Sequence, residues 1–109
     1  RGKSMITLPD IDDVAHKIAA AYHPDKIILF GSYAYGTPGD DSDVDLLVIL
    51  PFEGKGIHKT VEILHQVKPA LPVDLIVRTP EQIQTRLRLG DFFLREIMEK
   101  GKVLYEAAH

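Results

Sequence analysis

Two aspartates separated by one residue, Asp43 and Asp45, stand at the head of the apolar run from Leu46 to Leu50. Along an extended strand, side chains two apart share a face, so these carboxylates would aim together while Val44 turns to the opposite side. Like charges held that close raise one another's pKa and need a proton or a cation to offset them. Oxygen-only donors suit Mg2+ or Mn2+, and Mg2+ commonly joins one or two carboxylates to the phosphates of a substrate. Asp74, near the head of the later run Val73 to Val77, offers a third carboxylate. Three would permit a pair of ions, roughly 3.5–4 Å apart, that clamp the attacking and leaving oxygens of a displacement. Gly31 and Ser32 supply what a metal cannot: a glycine lets a phosphate approach the backbone, and a helix turn starting near Ser32 presents unpaired N–H groups and a hydroxyl to an anion. Gly31, Ser32, Asp43, Asp45 and Asp74 would together hold a metal-bound nucleoside triphosphate.

Each of these pieces is ordinary alone. A Gly-Ser pair after a strand is usually a turn, Asp-x-Asp is common in caps and solvated loops, and a polar residue often begins a strand. Their convergence is what points to chemistry, and convergence depends on the elements that carry them. Ile11, Val14, Ala15, Ile18 and Ala19 recur at helical spacing, with Asp10 as the expected cap and Pro24 as the stop. Lys26 to Phe30 is a short run of strand formers bounded by Pro24 and Gly31, followed by a helix turn from Ser32 to Gly36 and a polar loop from Thr37 to Ser42. Asp43 to Leu50 forms a second strand whose unbroken apolar stretch implies burial on both faces. After the Gly54-Lys55-Gly56 break, Ile57, Val61, Ile63, Leu64 and Val67 suggest a helix that Pro69 ends, and Val73 to Val77 forms a third strand. Thr79-Pro80-Glu81-Gln82 is a capping box with proline at the first helical position. Helical patterning then continues past a break at Gly90 to Lys100, with Gly101 as the expected C-terminal cap and Val103 to Tyr105 as an added edge strand.

These elements define an α/β (α+β) chain: a small mixed sheet of three to four strands flanked by helices. The second strand, its helix and the third strand form a unit of about 35 residues, which normally makes the two strands parallel with a right-handed crossover. Their starting ends then lie side by side. If the first strand runs antiparallel to the second, Gly31 and Ser32 reach the same edge as Asp43, Asp45 and Asp74.

The 109 residues suffice for one compact core, and Arg1–Ser4 read as a remnant ahead of a natural start at Met5, leaving residues 5–109 as a single domain. Ala107-Ala108-His109 reads equally as the edge of a tag or a natural end. The absence of cysteine excludes a disulfide framework and a Cys-based zinc site, and fits the cytoplasm. No apolar run approaches the roughly 20 residues that span a bilayer, so no membrane role is expected. A net charge of -3 gives no general attraction to nucleic acid, and direct nucleic-acid binding is not expected. The five histidines include no His-x-His or His-x-x-x-His pair. His58 and His65, seven apart on one helix face, read as surface residues, and His16, His23 and His109 are given no role. Tyr33 and Tyr35 flank the Gly-Ser loop and read as core packing rather than as a base-stacking platform. Arg78 reads as solvated in preference to phosphate-binding. Arg86, Arg88 and Arg95, near Phe92 and Phe93, leave open helix packing or a partner surface.

The segments Gly31-Ser-Tyr-Ala-Tyr-Gly36 and Ser42-Asp-Val-Asp-Leu46 resemble the signature of the DNA polymerase beta-like nucleotidyltransferase superfamily: Gly-Ser, ten intervening residues, then Asp-x-Asp. The nearest likeness is to the minimal nucleotidyltransferases, the MNT group, and the Pro72-Val-Asp-Leu-Ile-Val77 strand and the Ile97 to Glu106 ending extend it over nearly the whole chain. The resemblance implies the nucleotidyltransferase fold, with Gly31 and Ser32 binding the triphosphate and Asp43 and Asp45 ligating Mg2+ (or Mn2+). Asp74 would complete the acidic triad as a further metal ligand and help activate the attacking hydroxyl. It implies in-line transfer of AMP from ATP to a hydroxyl, with release of pyrophosphate.

The resemblance also suggests the acceptor, because such proteins often act as antitoxins that AMPylate a tyrosine of an all-helical HEPN-domain toxin, in a hetero-oligomer. Two alternatives remain: a nucleotide-binding or non-catalytic subunit that neutralises a HEPN partner by contact, and a small-molecule nucleotidyltransferase completed by a helical partner. A receiver-like domain would also gather aspartates at a sheet edge, but its acidic pair is expected after an opening strand, whereas this chain opens with a helix.

Overall fold

A computed structural model describes residues 6–108. The Arg1–Ser4 remnant, the start at Met5 and the final His109 lie outside the described residues. The elements run in the order α1 (Leu8–Tyr22), β1 (Lys26–Phe30), α2 (Ser32–Tyr35), β2 (Val44–Ile49), α3 (Gly56–Val67), β3 (Val73–Arg78), α4 (Pro80–Arg88), α5 (Phe92–Lys100) and β4 (Lys102–Glu106).

The four strands form one mixed sheet in the order β3-β2-β1-β4. β1 lies antiparallel to both β2 and β4, and β2 is parallel to β3, as the length of the crossover through α3 requires. β2 is therefore interior, and from Leu46 to Ile49 every residue is buried. Alternation along the strands divides the apolar side chains between two layers. Ile27, Leu29, Val44, Leu46, Val48, Leu75 and Val77 face α1 and Ile63 of α3, while Ile28, Phe30, Leu47 and Ile49 face Ile83 of α4 with Leu94 and Ile97 of α5. Each such aliphatic side chain contributes about 1.5–3 kcal/mol on burial, so the central strand is strongly held from both sides.

Several local expectations are corrected. The cap of α1 is Thr7, not Asp10; Asp10 sits at the third helical position, where its carboxylate accepts from the Thr7 amide while the Thr7 hydroxyl accepts from the Asp10 amide. This reciprocal pair satisfies two donors where a lone Asp cap satisfies one. The expected Thr79 cap does form, with Gln82 reaching back to the Thr79 amide at 2.9 Å. In α3 only Ile63 is fully buried, and Ile57 and Val61 are exposed, so its apolar face is narrower than the periodicity suggests. The helical stretch after Thr79 is two helices, since Gly90 takes φ +84 and Asp91 caps α5 by accepting from the Leu94 amide.

Gly101 ends α5 but not in the left-handed conformation typical of a glycine cap: its φ is -66. The constraint there is space. A Cβ at Gly101 would stand 2.5 Å from both Cγ2 of Ile28 and the carbonyl oxygen of Ile97, and 3.0 Å from the carbonyl oxygen of Leu29. The chain thus enters β4 pressed against β1, and two of those three neighbours are backbone atoms that cannot turn aside. Gly101→Ala is expected to destabilise the protein by about 1–3 kcal/mol, the usual range for overpacking. A lowered urea midpoint with an unchanged slope checks this; an unchanged midpoint would show that β1 and α5 are not locked together at this point.

Candidate active site

The site is assembled by strand register. Because β1 and β2 are antiparallel, the last residue of β1, Phe30, is the partner of Asp45, near the start of β2. The parallel pairing of β2 with β3 sets Asp45 beside Asp74. Neighbouring strands lie about 4.8 Å apart, and the two partners point to the same face. Asp43 precedes β2 in the loop and is exposed, as is Asp74, while Asp45 is half-buried.

At the end of β1 the chain turns through Gly31, with φ +75 and ψ -155, a conformation that side-chain-bearing residues rarely adopt. A Cβ at this position would overlap Oδ2 of Asp45 and lie 3.1 Å from its Cγ. The missing side chain is thus what lets the Asp45 carboxylate rest against the backbone. Ser32 then opens the single turn α2, closed by the Gly36 amide donating to the Ser32 carbonyl at 3.1 Å. The N–H groups of a first helical turn have no partner within the helix.

The electrostatics agree with this crowding. The carboxyl of Asp45 is held above the usual aspartate range, first by burial, then by the charge of Asp74 and then by that of Asp43. Among the described residues, none of the three carboxylates makes an ion pair or hydrogen bond to a protein group. Nor are three or more His, Cys, Asp or Glu side chains among the described residues arranged as a ready-made metal cage. The result is an open acidic edge with two or three carboxylates to offer, the pattern that suits an ion sharing its coordination with substrate oxygens.

All five residues expected at the site, Gly31, Ser32, Asp43, Asp45 and Asp74, come to this one edge. Arg78 does not. It pairs with Ile49 at the far end of β3, and its Nη1 donates to the Val77 carbonyl at 2.9 Å. His58 and His65 are exposed on α3. Tyr33 packs against the core as expected, whereas Tyr35 is exposed. Two further features go beyond the expected site. One is a cavity of about 870 Å3 between α3, β3 and α4, lined by Ile57, Ile76, Arg78 and Leu89 among others and by none of the five site residues. The other is an edge-to-face contact between Phe30 and Phe93, with ring centroids 5.7 Å apart. Both are made by residues remote in sequence, and only the apolar character of Phe92 and Phe93 could have signalled the second.

Comparisons with known proteins point the same way. Residues 11–104 match the family described as "Nucleotidyltransferase domain". A relative from Methanocaldococcus jannaschii, whose provisional name is protein adenylyltransferase, is 34% identical over 82 residues, covering 73% of this chain and 77% of its own. Among solved structures, a provisional nucleotidyltransferase from Sulfolobus solfataricus superposes with a TM-score of 0.59 at 19% identity, covering 77% of this chain and 83% of that one. A toxin–antitoxin structure with AMP-PNP gives 0.58 at 26% identity, covering 88% of this chain and 73% of that one. A mutant of the toxin–antitoxin pair MntA-HpeT gives 0.57 at 24% identity, with the same coverage.

Two outcomes follow from the geometry. Gly31→Ala adds a methyl group where the Asp45 carboxylate lies, in a backbone conformation that alanine resists. It is expected to cost about 1–3 kcal/mol in urea unfolding; a neutral result would mean that the two groups are not in contact. The second concerns pH. An acid whose pKa is raised by folding contributes stability that is complete below its ordinary value, 3.8 for aspartate, and is lost as pH rises through the raised value. At pH 7 the ionised Asp45 is therefore a net cost. Asp45→Asn is expected to stabilise the metal-free protein there by at most about 1 kcal/mol, because water screens part of the repulsion. The gain disappears near pH 3, and thermal unfolding of both proteins at the two pH values measures it.

Proposed function

This chain belongs to the nucleotidyltransferase domain family, and we propose that it is of the MNT type and transfers AMP from ATP to a hydroxyl of a partner protein, releasing pyrophosphate. The expected acceptor is a tyrosine of a HEPN-domain protein, bound as a cytoplasmic hetero-oligomer in which this chain is the antitoxin. The observation that carries the reading is Asp45, set against Gly31 on one side and Asp74 on the other, in a trio of carboxylates with no ion pair to a cationic side chain among the described residues.

Gly31 admits a phosphate to the backbone, and the Ser32 hydroxyl with the first amides of α2 donates to its oxygens. Asp43, Asp45 and Asp74 would hold Mg2+, or Mn2+ in its place, which when bound offsets the charge that develops on the phosphates and aligns them for displacement. Asp74, exposed on the outer strand, would take the proton of the incoming hydroxyl. The acceptor oxygen then forms its bond to the α-phosphorus as the bond to pyrophosphate breaks. A protein acceptor is favoured because Asp43 and Asp74 are exposed, which leaves the acidic edge open to a large partner, and because the cavity between α3, β3 and α4 is lined by none of the five site residues. The name of the Methanocaldococcus jannaschii relative and the toxin–antitoxin neighbours support the same choice.

Incubation with labelled ATP, Mg2+ and the product of the adjacent gene tests the proposal. Label is expected on that protein, and the double variant Asp43→Ala, Asp45→Ala is expected to lower the rate by at least about 100-fold. If the double variant still neutralises its partner and the wild type transfers no label, the chain acts by binding alone.

A further inference from the structure

Leu89, Phe92 and Phe93 cluster at the corner between α4 and α5, where they are 80%, 79% and 54% exposed. An isolated exposed apolar residue is commonplace, but three large ones within five positions, two of them aromatic, mark a surface that binds something. The corner is firmly built. Gly90 makes the turn with φ +84, and Asp91 accepts from the Leu94 amide at 2.9 Å while pairing with Arg86 at 3.4 Å.

Two properties say what fits there. The first is position. Phe93 meets Phe30 edge-to-face, Phe30 is the register partner of Asp45, and Gly31 follows it in the chain. The patch thus begins one side chain away from the acidic edge. The second is charge. Although the chain has a net charge of -3, arginines border the apolar cluster. The Arg95 guanidinium lies 5.9 Å from the Phe92 ring, Arg88 is exposed and has no ion pair among the described residues, and Arg86 is held by Asp91. A basic, aromatic corner beside an acidic edge attracts acidic side chains to one place and repels them from the other.

We infer that the α4–α5 corner docks an acidic, apolar segment of the protein that receives the nucleotide, with its carboxylates on the arginines and its hydroxyl directed to the carboxylate edge; this rests on the protein-acceptor reading above. Leu89 and Phe92 supply the buried contact, and Arg88 and Arg95 select the charge of the segment. A nucleic acid would also meet the arginines, but it leaves the apolar side chains uncovered and brings its phosphates towards three uncompensated carboxylates.

The test uses the full chain and short fluorescent peptides, each with one tyrosine set among glutamate and leucine, serine and leucine, or lysine and leucine. A single-stranded oligonucleotide is added as competitor. The glutamate–leucine peptide is expected to bind best. Arg88→Glu with Arg95→Glu should weaken it by about tenfold or more and turn the preference towards the lysine–leucine peptide. Phe92→Ser should weaken every leucine-bearing peptide. Equal binding of all three peptides by wild type and charge-reversed chain, or displacement by the oligonucleotide, overturns the inference. Labelled ATP and Mg2+ separate it from the reading it rests on. Charge-dependent binding with no label on tyrosine counts against a protein acceptor and leaves the corner as a binding surface. Label transfer indifferent to the corner variants counts against the corner and leaves the acceptor reading standing.

Discussion

The carboxylate of Asp45 rests against a backbone carbon that bears no side chain, and the organisation of the acidic edge follows from that contact. For it to exist, β1 must end where β2 begins, which antiparallel pairing provides, and residue 31 must accept φ +75, which glycine provides. The parallel pairing of β3 then brings Asp74 alongside at no further conformational cost. Crowding like charges is unfavourable, and it persists because β2 is fixed from both sides by apolar side chains that do not depend on the edge. The core is thus stable enough to carry a locally unfavourable arrangement, as functional sites commonly require.

Most of this was legible in the sequence, for identifiable reasons. The strands are bounded by glycine and proline, and the second is apolar throughout after Asp45, so its central place followed from composition alone. The convergence of Asp45 and Asp74 needed only the rule that a crossover of this length joins parallel strands. The capping box at Thr79 was explicit because proline at the first helical position leaves few other readings. What the sequence left unread lies in how side chains pair and which elements they meet. Thr7 displaced Asp10 as a cap because the two side chains act as a pair. Ile57 and Val61 fit a helical period but meet no opposing layer. Gly101 is needed for the approach of β1 and α5 and not for its backbone angle, a distinction invisible without the neighbouring strand. Arg78, adjacent in sequence to the third strand, lies at the end remote from the aspartates because a strand separates its two ends by its whole length.

Family membership and strand geometry bear on the same stretch of chain by different routes. The match over residues 11–104 does not depend on where any side chain points, and the register of β1, β2 and β3 does not depend on any relative. The proposed reaction demands a glycine-serine corner opposite acidic strand starts. That demand constrains the edge tightly: each of its residues is chosen by phosphate or metal chemistry in the proposed reaction, and each is small.

A site so constrained has little left with which to tell one hydroxyl from another. Asp43 and Asp74 are exposed, α2 is a single turn, and the cavity between α3, β3 and α4 is lined by none of the five site residues. Discrimination between substrates comes from groups that are satisfied by one and left unpaired by another, and exposed carboxylates treat all neutral hydroxyls alike. On the proposed function, choice of acceptor would have to be made on surface beside the edge. In the proposed reaction the α4–α5 corner would be such a surface: it is apolar where the edge is polar, basic where the edge is acidic, and joined to it through the Phe93–Phe30 contact, so that a partner held there would be selected before its hydroxyl reached Asp74.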